Sequence, residues 1–110
     1  MSTPGGQNAI ALNGVTATGD GPLIDLLVPH RTHAIQITAT GAPTTVTGTL
    51  KGSLDRVNFF TIATWDTGAG QTLGDIIFAV DKPVTCLKVN LGTLTGGTSP
   101  TVTAHVASAP

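Results

Sequence analysis

The sequence predicts an all-β fold, an antiparallel and jelly-roll-like β-sandwich of about eight strands with a flexible N-terminal arm. Several stretches alternate apolar and polar residues with period two, the mark of a half-buried strand. Gly (14) and Pro (7) recur between these stretches, Thr is abundant, and Glu and Tyr are absent, which is β composition punctuated by turns. No segment shows helical periodicity, so the crossovers required by a parallel sheet are missing.

The clearest alternation covers residues 34–40, where Ile35, Ile37 and Ala39 share one face and Gln36, Thr38 and Thr40 the other. After the turn signal Gly41-Ala42-Pro43, residues 44–51 place Val46, Gly48 and Leu50 alike, and the two stretches read as neighbouring antiparallel strands. Residues 57–64 follow with Phe60 and Ile62 on one face, and residues 76–80 are apolar on both. In residues 85–91, Leu87 and Val89 oppose Cys86, Lys88 and Asn90. Residues 101–107 turn Val102, Ala104 and Val106 inward, and residues 15–18 and 23–28 complete the set. The expected core is Ile35, Ile37, Val46, Leu50, Phe60, Ile62, Phe78, Leu87, Val89, Val102 and Val106.

One domain suits 110 residues. Residues 1–12 are assigned to the arm, because the first six offer nothing to bury, and residues 13–110 to the sandwich. With three Phe, one Trp and a single Cys86, the core is thin and an internal disulfide is excluded. Oligomerisation or docking is the expected supplement.

A net charge of −1 with five scattered Lys and Arg provides no stripe to neutralise phosphates, so nucleic acid is excluded as a partner. No stretch approaches the roughly 20 apolar residues of a membrane span, and Met1 is not followed by a signal peptide. A soluble chain made in a reducing cytosol is expected, which the unpaired Cys86 and the absence of an Asn-x-Ser/Thr sequon suit.

Catalytic and metal chemistry find little support, and the expectation is a non-enzyme without a cofactor. Asp66-Thr67-Gly68-Ala69 resembles the active-site loop of retroviral aspartic proteases, yet only 44 residues follow Asp66, without that family's late helix. A turn is the better reading. His30 and His33 are three apart, so alternation sends them to opposite faces of one strand, and surface or interface histidines are expected over metal ligands. His105 falls on an outward position. Residues 68–74 read as a long hairpin loop, because they lack the spacing and the Lys of a phosphate loop. Ser53 has no partners in a recognisable nucleophile motif.

Residues 50–62, Leu-Lys-Gly-Ser-Leu-Asp-Arg-Val-Asn-Phe-Phe-Thr-Ile, are similar to a strand-turn-strand signature, G-S-x-D-G-x-N-W-F-x-L, of many β-sandwich modules. These include galactose-binding-like jelly rolls and small virion proteins of tailed bacteriophages. Ser53 and Asp55 can bond turn amides, Asn58 tolerates the left-handed region, and an aromatic plugs the core. Arg56 and Phe59 stand where the signature has Gly and Trp. Residues 81–91 and the Gly96-Gly97-Thr98-Ser99-Pro100 turn also resemble the end of such phage modules.

The resemblance implies a capsid decoration protein on the virion surface, synthesised in the bacterial host cytoplasm. It implies a homotrimer bound to the major capsid protein. The alternatives are a tail, neck or baseplate protein, or a carbohydrate-binding module, the last favoured if Trp65 is exposed. The expected partner contacts are Ile10, Ala11 and Leu12 at the end of the arm. With them go Ile77, Ala79 and Cys86, which together with Val84 are read as an apolar face opposite the core.

Overall fold

The computed structural model describes residues 7–110 and arranges them in nine strands. These are β1 (Gln7–Val15), β2 (Gly19–Asp20), β3 (Ile24–His30), β4 (Thr32–Thr40), β5 (Thr45–Ser53), β6 (Phe60–Asp66), β7 (Ile76–Ala79), β8 (Val84–Thr95) and β9 (Thr101–Ala109). Two antiparallel sheets form, one in the order β1-β9-β4-β7 and one in the order β2-β8-β5-β6, with β3 also paired to β8. The all-β antiparallel sandwich expected from period-two patterning is the fold observed.

The core lies between the sheets, where Ile35, Ile37, Val102, Ala104 and Val106 of one meet Val46, Leu50, Leu87, Val89 and Leu91 of the other. Strand β5 approaches so closely that its alternate inward positions include glycine. A Cβ at Gly48 would stand 2.5 Å from Ile37 Cδ1, and one at Gly52 2.5 Å from Ile62 Cδ1.

Two members of the expected core lie outside it. Phe60 is 46% exposed and Phe78 72%, while Trp65 is fully buried in their stead. The reason at Phe60 is a register shift. Leu50 pairs with Ala63 and Lys51 with Thr61, so Ile62 is the extra residue of a bulge, and the inward set becomes Ile62 and Trp65. At Phe78 the reason is the partner strand. Phe78 lies opposite Ala34 and Ile77 opposite Ile35, so Ile77 shares the inward face of Ile35 and Phe78 is turned out.

Three further expectations change. Residues 7–12, assigned to the arm, form most of β1, with Ala11 and Leu12 fully packed in the core; residues 1–6 lie outside the described residues. A register shift between Ile10 and Leu12 buries two consecutive residues, which hides the alternation. Strands β4 and β5, read as neighbours, belong to opposite sheets. Gly41 and Ala42 both take positive φ, and the chain there crosses the sandwich, held by Thr98 N–H donating to Gly41 O. The segment after β6 likewise leads from one sheet to the other and is no hairpin.

Replacing Trp65 with Ala is expected to cost about 3–5 kcal/mol in denaturant unfolding. Phe60→Ala and Phe78→Ala should each cost under about 1 kcal/mol, being surface truncations. Gly48→Ala should cost about 1–3 kcal/mol by overpacking against Ile37.

Candidate interaction surface

Alternation in β4 and β9 that sends Ile35, Ile37, Val102, Ala104 and Val106 inward leaves the intervening residues on the outer face of the four-stranded sheet. Pairing then sets them in rows. One row runs Asn8, Ala107, Ala34 and Phe78; the next runs Ile10, His105, Gln36 and Ile76. Ile10 and Ile76 stand on the two outer strands, with Ala34, Gln36, His105 and Ala107 on the central pair between them, and the floor is a shallow groove of about 490 Å³. Gln36 is held in place by donating from Nε2 to Gly74 O at 2.8 Å. Ile10, Ile76 and Phe78 remain exposed.

Of the six expected contact residues, only Ile10 lies on this surface. Ala11 and Leu12 pack into their own core, and Ile77 and Ala79 turn inward against it. Cys86 is fully buried, its thiol 3.6 Å from Ser53 O. Val84, read as part of an outer apolar face, is also in the core. The exposed residues of β7 are the neighbours Ile76 and Phe78, one position from those inferred. The signal for them was the pairing of β7 with β4, which periodicity does not contain.

His105 is exposed, as its outward position predicts, whereas His30 and His33 are buried and not at the surface. His30 closes β3 in one sheet and His33 opens β4 in the other, so the corner at Arg31 lets both point inward. His30 Nδ1 lies 2.7 Å from Ser108 Oγ, and His33 Nε2 donates to Lys82 O at 2.9 Å. That donation fixes the His33 tautomer and leaves its Nδ1 buried without a protein partner. Among the described residues no three His, Cys, Asp or Glu side chains group to hold a metal. Asp66 caps a 3-10 turn, Thr67–Ala69, accepting from Gly68 N–H at 2.7 Å, as the turn reading anticipates.

Residues 53–58 form a tightly bonded loop. Ser53 Oγ accepts from the amides of Asp55 and Arg56. Asp55 accepts from the amides of Val57 and Asn58, from the Asn58 side chain and from Ser53 Oγ. Those bonds, the Asn58 amide foremost, hold the Asp55 carboxyl well below the usual range. The left-handed residue is Arg56 at φ 68, not Asn58. Phe59 lies under the Lys88 ammonium, 4.2 Å from the ring centroid, and does not plug the core. That role belongs to Trp65, whose indole donates to Asp75 O.

In fold, the chain is similar to the SPBc2 prophage-derived protein YomS, with a TM-score of 0.70 and 10% identity over 100% of this chain and 97% of that one. It is similar to part of a family 89 glycoside hydrolase from Clostridium perfringens, with a TM-score of 0.57 and 12% identity over 94% of this chain and 14% of that one. It is also similar to the C-terminal domain of a chitobiase from Bacteroides fragilis, with a TM-score of 0.52 and 13% identity over 78% of this chain and 60% of that one. No family model and no curated protein matches the chain.

Burial, with His33 nearby, holds the His30 pKa below its ordinary 6.5. The unfolded chain therefore binds more protons, and the stability carried by neutral His30 is complete above about pH 6.5 and is lost as the pH falls below it. Thermal unfolding followed from about pH 7 to about pH 5 should show a falling midpoint, with a smaller fall in His30→Gln. Equal falls in the two proteins would contradict the assignment. The Asp55 contribution belongs to a separate window, below about pH 4.

Proposed function

We propose that this chain is a structural virion protein that decorates an assembled phage capsid, acting as a homotrimer bound to the major capsid protein on the particle surface. The observation that carries this reading is the uncovered apolar face formed by Ile10, Ile76 and Phe78 on the four-stranded sheet. Exposed large apolar side chains on both sides of a groove are the kind of feature that serves as a surface for assembly. The near end-to-end fold likeness to a prophage-derived protein supports the same reading.

The mechanism asks for no catalytic group and no cofactor. Copies meet through the groove, and the trimer presents repeated contacts to several capsid subunits, so modest affinities multiply. Synthesis takes place in the bacterial host cytoplasm. A tail, neck or baseplate position is the alternative within the virion. The carbohydrate-binding alternative loses its expected aromatic platform, because Trp65 is fully buried.

The test has two parts. Sedimentation velocity should show a trimer for the natural chain and a folded monomer for Phe78→Asp. Pelleting with purified heads and with purified tails should recover the natural chain with heads. Recovery with tails alone would move the protein to the alternative position, and a monomer at every concentration would refute the assembly surface.

A further inference from the structure

Charge is divided unevenly between the two sheets. Strands β1, β4, β7 and β9 contain no Asp, Glu, Lys or Arg. The outer face of the other sheet is charged, with Lys51 paired to Lys88 across the ladder and Lys88 in turn 3.1 Å from Asp20. Arg31, Asp75, Asp81 and Lys82 belong to the connections at the ends of β4 and β7, outside the strands themselves. A sheet turned to water, and its edge strands above all, ordinarily carries charged side chains as a guard against pairing with another chain. Here both edges, β1 and β7, go without.

One titratable group interrupts this neutral face. His33, the other histidine of the sheet, points inward, whereas His105 is exposed and lines the groove. Its neighbours in the row are Ile10 on β1 and Gln36 on β4, with Ile76 and Phe78 beyond them on β7, and none of the residues that these strands turn outward ionises. An imidazolium here is stabilised by water alone. Covering the groove therefore favours the neutral ring, because a desolvated charge needs a partner that this face does not offer.

Two features point to a second copy of the chain as the cover. Like faces that carry charge repel each other, and a face whose strands bear none can meet itself without that cost. The face also holds both halves of a contact. Phe78, 72% exposed, stands on an edge strand and is not among the residues lining the groove, so the ring of one copy and the groove of another can engage together. A projection and a depression at different positions make a head-to-tail contact, which generates a closed ring of copies when the rotation closes.

We propose that Phe78 of one copy enters the groove of the next, over His105, and that His105 makes this contact a pH switch in which copies associate with the ring neutral and separate when it is protonated. The assignment rests on the assembly through the groove given above, and adds its geometry and its regulation. Separated copies bind a proton that covered ones exclude. Association is therefore complete above about pH 6.5, the ordinary histidine value, and weakens as the pH falls below it, by roughly tenfold per pH unit for each covered histidine. Attraction between an imidazolium and the Phe78 ring offsets only part of the lost hydration.

The experiment is sedimentation velocity of the full chain at about pH 7.5 and at the lowest pH, about 5.5, at which the fluorescence of buried Trp65 reports a folded protein. The natural chain should be trimeric at the higher pH and associate at least tenfold more weakly at the lower, whereas His105→Gln should be trimeric at both. His30→Gln, which removes a proton site from the interior, should keep the natural response, and His105→Lys should be a folded monomer throughout. Trimers of equal strength at the two pH values, the same loss in His105→Gln, a His105→Gln monomer at the higher pH or a His105→Lys trimer would overturn the switch and leave the assembly surface standing. A natural chain that is monomeric at both pH values would overturn the surface and the switch together.

Discussion

The sandwich depends on one close contact, that of Ile37 of β4 with the space left by Gly48 in β5. A side chain at position 48 would overlap Ile37 Cδ1, so glycine there sets how near the two sheets come. At that separation a chain with few large residues still closes its core, because Trp65, Leu50, Val89 and Ile35 reach across to fill the remaining space. Propensity disfavours glycine within a strand. Its presence at Gly48 shows packing between layers overriding local preference, and at Gly52 the neighbouring strands' Ile62 and Val84 take the space.

Because the interior needs every large residue it can hold, those left outside are informative. Phe78, Ile76 and Ile10 could have been threonine, as their counterparts Thr38 and Thr103 are, without loss to the core. Leu27 and Arg56 could have been glycine, relieving a strained backbone. Burial explains none of these choices. The proposed assembly surface gives Phe78, Ile76 and Ile10 a role, and the hydrogen bonds of Asp25 and Asp55 hold the strained loops in one shape.

Much of this was legible where alternation is unbroken. In residues 34–40 and 85–91 period two alone places Ile35, Ile37, Leu87 and Val89 correctly. It misleads wherever a bulge inserts a residue, as between Ile10 and Leu12 and between Thr61 and Ala63. It is silent in β7, whose four apolar residues take their phase from Ala34 and Ile35 across the ladder. Strand partners were equally hidden. A Gly-Ala-Pro turn reads the same whether it closes a hairpin or, as here, carries the chain to the facing sheet. The histidines follow from that geometry, since a corner between sheets turns a spacing of three into two inward side chains. Of the interaction surface, Ile10 was accessible to sequence reasoning, while Ile76 and Phe78 required the register.

The most direct measurement is a cryo-electron microscopy map of the native particle that resolves side chains. The proposed assembly has three copies around each occupied site on the head, with Phe78 and Ile76 at their mutual contact. A map with single copies, or with the chain confined to the tail, would contradict it.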